Sequence, residues 1–135
     1  MTLVIDASAV VAALTDGGDD GEWVRGAVRG HALVAPSHLF VEASNVLRRL
    51  VVSGALTVDL GVLAHEDLMQ LSVTAVGFEV LARRVWELHP NLTAYDAAYV
   101  ALAEELGAPL LTLDARLARA PGTTSTFLLP QPPGT

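Results

Sequence analysis

Four short apolar runs alternate with stretches of helical period, and this alternation constrains the fold more than any other feature of the chain. The runs are Leu3-Val4-Ile5, Ala32-Leu33-Val34, Ser72 to Val76 and Leu110 to Leu113. Each has the length and apolarity of a buried strand. Between them lie predicted helices over Ala7 to Leu14, Glu22 to Arg29, Pro36 to Ser53, Val58 to Gln70, Gly77 to His89 and Ala94 to Glu105. Their ends carry recognisable signals: Thr57 and Thr93 as N-caps, Gly54 and Gly107 as stops, and Pro90 with Asn91 closing the fifth. Thr15 to Gly21 reads as a polar loop, Asp114 to Ala120 as a short helix, and Thr126 to Leu129 as a fifth strand. Such alternation implies an α/β fold with a parallel sheet covered by helices on both faces. At 135 residues the chain is one domain, assigned to residues 1–129, with a Pro-rich tail over 130–135.

In a sheet of this kind ligands bind beyond the carboxyl ends of the strands. Acids that follow strands therefore carry functional weight. Asp6 ends the first run and Asp114 ends the fourth. In the helix after Thr93, Asp96 shares a face with Tyr99, Val100 and Ala103, so a carboxylate sits on an apolar stripe. That position is costly unless the group is paired, protonated or bound to metal. In the helix from Pro36, Glu42 lies at the edge of a stripe formed by Leu39, Ala43, Val46, Leu47 and Leu50, with Asn45 and Arg49 beside it.

Ordinary structural roles exist for each acid. Asp6 and Asp114 suit helix N-caps, Asp96 suits a capping box with Thr93, and Glu42 suits a helix-surface pair with Arg49. The combination is less easily dismissed. If the first and fourth strands are neighbours, their terminal acids meet, and two inward-facing helix acids reach the same crevice. Convergent carboxylates without basic partners suit a hard divalent cation such as Mg²⁺ or Mn²⁺. Thr112, two residues before Asp114, is placed to orient a ligand or water.

Composition narrows the alternatives. There is no cysteine, which removes disulfides, thiol nucleophiles and zinc–thiolate sites. All eight bases are arginine, which removes every chemistry that needs lysine. A phosphatase that uses Asp-x-Asp fails because the first strand is followed by Asp6-Ala7-Ser8. A receiver domain fails for want of the lysine, and a dinucleotide fold for want of a Gly-rich turn. A net charge of −7 opposes nucleic-acid binding unless cations offset it. No apolar run is long enough to span a bilayer and MTLVIDASAV has no basic leader, so a cytoplasmic protein is expected.

The segments VIDASAVVAAL, LFVEASNVLRRL and NLTAYDAAYVALAEELGAPLLTLDARLA, in this order and spacing, resemble the PIN domain of bacterial VapC toxins. The resemblance runs from Leu3 to about Ala118. It implies a sheet in the order 3-2-1-4-5 and a metal-dependent endoribonuclease that hydrolyses RNA phosphodiesters with metal-activated water. The family's four acidic positions fall on Asp6, Glu42, Asp96 and Asp114. Asp6, Asp96 and Asp114 would organise Mg²⁺ (or Mn²⁺), and Glu42 would be a further ligand or a base. Ser8, Asn45, Thr93 and Thr112 match accessory polar positions. The resemblance also implies a homodimer and a VapB-type antitoxin as partner, with no membrane association. Val41 and Val52, off the core stripe of their helix, suit such an interface. The alternative is a non-catalytic PIN module that binds metal or a partner.

The remaining charges are less informative. Asp16, Asp19 and Asp20 read as a solvated loop cluster, and the four histidines lack metalloprotease spacing. The arginines fall in close pairs, of which Arg116 is the best placed to contact RNA. With aromatics at 5% of residues, a base-stacking surface is not expected.

Overall fold

The structure, a computed structural model, describes residues 1–131. In chain order the elements are β1 (Thr2–Ile5), α1 (Ala7–Thr15), α2 (Asp19–Val28), β2 (Ala32–Pro36), α3 (Leu39–Val52) and α4 (Val58–Met69). There follow β3 (Val73–Val76), α5 (Phe78–Glu87), α6 (Ala94–Leu106), β4 (Leu110–Leu111), α7 (Ala115–Ala118) and β5 (Phe127–Leu128). The strands form one sheet in the order β3-β2-β1-β4-β5, as expected, and every pairing is parallel. Most of the Pro-rich tail assigned to 130–135 lies outside the described residues.

The central strand β1 is apolar on both faces, with Leu3, Val4 and Ile5 all buried, because helices cover both sides. Helix α1 packs with α2, α3 and α4, while α6 packs with α5 and lies against β1, β2 and β4. Every residue of α6 from Ala97 to Ala103 is buried. The run of small side chains there, Ala97, Ala98, Ala101 and Ala103, lets the helix approach the sheet closely. A chain reversal follows at Gly107, whose φ of 60° is the left-handed conformation glycine adopts without strain.

Two helix starts differ most from expectation. Helix α3 starts at Leu39 rather than at Pro36, because Pro36 continues β2 opposite Val76 and the Ser37 N–H donates to the Val76 carbonyl at 2.8 Å. Sheet pairing there outweighs proline's preference for the first helical turn. Helix α2 starts at Asp19, so Asp19 and Asp20 are not loop residues. With Glu22 they occupy the first turn, where the helix dipole favours negative charge. Gly21 inside α2 is required by packing, since a Cβ there would lie 1.8 Å from the Asp16 carbonyl oxygen.

Parallel pairing of β1 with β4 sets Ile5 opposite Leu111. Asp6 N–H then donates to the Leu111 carbonyl at 3.3 Å. The two strand-end segments that carry Asp6 and Asp114 thus leave the sheet side by side.

Candidate functional site

Asp6 is both a helix cap and a buried site residue. Its Oδ1 accepts from the Ala9 N–H at 3.0 Å and from the Ser8 hydroxyl at 2.7 Å. Its Oδ2 accepts from the Thr112 hydroxyl. Asp6 and Thr112 are the buried polar residues among those described. The network continues across the strand ends: Leu113 N–H donates to Ser8 Oγ at 3.2 Å, and Asp114 N–H donates to Thr112 Oγ1 at 3.0 Å. Ser8 and Thr112 therefore tie the end of β1 to the segment that follows β4. Burial raises the Asp6 pKa above its ordinary value, and the hydrogen bonds only partly offset this.

Asp96 enters from the first turn of α6. Its N–H donates to the Thr93 Oγ1 cap at 3.3 Å. Its carboxyl is half-buried and held above its ordinary pKa by burial and by the Asp114 charge, against weaker pulls from Arg116 and His38. Glu42 enters from the first turn of α3. The buried Tyr99 hydroxyl donates to Glu42 Oε1 at 3.0 Å. Burial raises the Glu42 pKa, with Tyr99 and His38 opposing and Asp96 and Asp6 adding to the rise.

Asp114 behaves differently. It caps α7 by accepting from the Arg116 N–H at 3.0 Å, and it pairs with the Arg116 guanidinium at 3.2 Å. Burial pushes its pKa up, but the Arg116 bonds outweigh that and hold it below its ordinary value.

The four acids thus come from four different elements and line one cavity of about 790 Å³, together with Ser8 and Asn45. Thr112 sits behind them, fully buried. Thr93 lines an adjoining cleft of about 390 Å³ that shares Asp96 and Asp114 with the first and adds Arg116 and Arg119. No salt bridge forms between Glu42 and Arg49 among the described residues; Arg49 lines the cavity instead.

Among the described residues no three carboxylates or imidazoles stand close enough together to hold a metal ion as a group. The donor set nevertheless fits Mg²⁺. All the donors are hard oxygens, three form no salt bridge among the described residues, and Mg²⁺ commonly keeps several waters while using one or two carboxylates.

Sequence reasoning passed over three residues. Tyr99 reads as core, and only its 57-residue reach to Glu42 reveals the hydroxyl's role. His38 reads as an isolated histidine, yet it lines the cavity, with its ring 5.1 Å from that of Tyr99. Tyr95 stands at the lip of the cavity with 65% of its surface exposed.

A family model described as PIN domain matches residues 3–122. Ribonuclease VapC3 of Mycobacterium tuberculosis is 42% identical over 118 residues, covering 87% of this chain and 86% of the relative. The crystal structure of M. tuberculosis VapC20, described as a Sarcin-Ricin loop cleaving toxin, aligns with a TM-score of 0.68 at 16% identity. It covers 95% of this chain and 99% of that one. VapBC2 from Rickettsia felis, solved bound to a DNA fragment from its promoter, aligns with a TM-score of 0.67 at 12% identity over 96% and 98% of the two chains. The last two carry the fold alone, whereas the family model and the sequence relative carry descent: this chain belongs to the PIN-domain family, in its VapC branch.

Proposed function

We propose that the chain is a metal-dependent endoribonuclease, the toxin half of a VapBC-type pair. The observation that carries this reading is the cavity in which Asp6, Glu42, Asp96 and Asp114 converge without a lysine or arginine neutralising the first three. The likeness to ribonuclease VapC3 supports RNA as the substrate.

The residues divide the work as follows. Asp6, Asp96 and Asp114 would hold the cation, whose charge, when bound, neutralises the phosphodiester and lowers the pKa of water. Ser8 and Thr112 fix the Asp6 carboxylate through its two oxygens and leave little freedom to its rotamer. Glu42, held by Tyr99, accepts a hydrogen bond from the attacking water and orients it. Arg116, 84% exposed on its side chain, is free to exchange Asp114 for a phosphate oxygen. No covalent enzyme intermediate is required.

An antitoxin and a second copy of the chain are the proposed partners. Val41 and Val52 are 75% and 72% exposed. Val52 lines an apolar groove of about 520 Å³ between α3 and α4, next to exposed Val58 and Val62. An apolar surface of this extent is what partner chains cover. Among the described residues no helix is long and apolar enough to cross a membrane, and action on RNA suits the cytoplasm.

The test is cleavage of total bacterial RNA by wild type and Asp96→Asn, in Mg²⁺, Mn²⁺ or EDTA, with 5′ ends mapped. Discrete cation-dependent cuts by wild type alone are expected. Absence of cuts from folded protein that still binds Mn²⁺ would favour a binding module over an enzyme.

A further inference from the structure

We propose that the carboxylate cavity contains a nucleobase subsite, in which Tyr95 stacks an unpaired base of single-stranded RNA beside the cut phosphodiester. The inference rests on the ribonuclease reading above.

Tyr95 and Asp96 both lie in the first turn of α6 and both line the same cavity. Of the seven Trp, Tyr and Phe residues in the chain, Tyr95 is the one that lines this cavity. The residue is 65% exposed, and its ring is backed by His38, whose imidazole meets it edge-on at 5.9 Å and 70°. His38 is in turn packed against buried Tyr99 at 5.1 Å, so the platform rests on the core. Val41 and Val46 line the same cavity and give it an apolar side.

A polar group for a base edge is also present. His38 Nε2 has no hydrogen-bond partner among the described residues, but it is buried behind the ring, so it supports the platform and does not meet the base edge. Asn45, on the same cavity, offers an amide that both donates and accepts. At about 790 Å³ the space falls within the range of small-ligand sites.

Electrostatics demand such a contact. A chain of net charge −7 gains little from phosphate attraction alone. Stacking on an aromatic ring supplies affinity that does not depend on charge. It also selects single strands, because bases in an A-form duplex are stacked on one another and out of reach. The low aromatic content argues against an extended base-stacking surface; a single-base subsite needs only the one aromatic side chain that lines the cavity.

The experiment measures binding of a fluorescein-labelled, unstructured 12-nucleotide RNA by anisotropy. The protein carries Asp6→Asn to silence cleavage, and the buffer contains Mg²⁺. Adding Tyr95→Ala is expected to weaken binding about tenfold, and Tyr95→Phe to restore it. Binding of the matching duplex should not change. In a series with one abasic nucleotide moved along the strand, one position should make Tyr95→Ala silent. Equal affinity of Tyr95→Ala and its parent would overturn the subsite, as would a Tyr95→Phe variant as weak as Tyr95→Ala. A change of oligomeric state in Tyr95→Ala would also overturn it and assign the ring to an interface between copies. If the parent binds no RNA and wild type cuts none, the ribonuclease reading itself fails. RNA binding that is indifferent to Tyr95 sinks the subsite alone.

Discussion

Tyr99 and Glu42 lie 57 residues apart in the chain and are joined by a hydrogen bond of 3.0 Å from the phenol to the carboxylate. The phenol is buried, and burial with the neighbouring Glu42 charge raises its pKa, so it stays a donor. The pair fixes where one Glu42 oxygen lies. Tyr99→Phe keeps the ring in the core and removes only the donor. We expect a fold and melting temperature close to wild type and a fall in kcat of about tenfold with little change in KM, consistent with losing one bond to a charged group. A thermal melt and steady-state cleavage kinetics check this. Unchanged kcat would show that Glu42 does not need to be held.

Burial of three carboxylates, with a smaller addition from their mutual repulsion, costs stability when no cation is bound. Asp6, Glu42 and Asp96 all have raised pKa values, so the folded state binds protons more tightly than the unfolded state does. Stability from this source is present at low pH and falls as pH rises through the unfolded value and then the raised folded values. At neutral pH, Asp96→Asn in EDTA should therefore melt about 2–4 °C above wild type, on the order of 1 kcal/mol for a domain of this size. Adding Mn²⁺ should stabilise wild type and reverse that ranking. A variant less stable than wild type in EDTA would show that burial and repulsion do not destabilise the charged Asp96.

A second carboxylate shows the opposite sign. Glu104, nearly buried at the side chain, accepts from Arg84 Nε at 2.6 Å and from the Thr124 N–H at 2.7 Å. Arg84 also donates to the Gly122 carbonyl at 2.9 Å, so the cluster ties α5, α6 and the approach to β5 together. Burial pushes the Glu104 pKa up, but Arg84 and Thr124 outweigh it and hold it below its ordinary value. Its contribution is therefore present above the unfolded value of about 4.3 and is lost as pH falls through the folded value. Glu104→Gln should cost about 2 kcal/mol at pH 7. In a denaturant titration the difference from wild type should shrink below pH 4.

Arg116 holds Asp114 while lying open to solvent. Exposed pairs are weakly coupled, so a cation or a phosphate can displace the arginine readily. Arg116→Gln should bind Mn²⁺ no more than a few-fold more tightly in the absence of RNA, and should bind RNA more weakly. Calorimetry with Mn²⁺ and anisotropy with RNA read the two effects separately. Loss of both affinities together would mean that Arg116 supports the site's structure instead.

Much of the architecture is legible in the chain because local rules decide it. The apolar runs, the Thr57 and Thr93 caps and the Gly107 stop each act within a few residues. The alternation of elements is enough to imply a parallel sheet. Asp6 and Asp114 are legible as well, since a carboxylate at a strand end in such a sheet faces the ligand side. The departures at Pro36 and Asp19 have different causes. Pairing of Pro36 with Val76 of β3 is a contact with a residue far away in sequence and outweighs the local helix signal, whereas Asp19 and Asp20 join α2 because acids suit a helix's first turn.

Element order, the family resemblance and the four acids as residue types are readable along the chain. Which acids have raised pKa values, which is paired and what surrounds them follow from packing in three dimensions. A pKa depends on burial and on charges a few ångströms away, and neither is a property of sequence neighbours. Asp114 is lowered and Asp96 raised, although both are aspartates at the starts of helices, because Arg116 bonds one while partial burial and the Asp114 charge act on the other. Tyr95 and Tyr99 share one helix and one residue type. Packing buries the second beneath Glu42 and leaves the first at the mouth of the cavity. That difference assigns one tyrosine to holding a carboxylate and exposes the other to whatever enters the site.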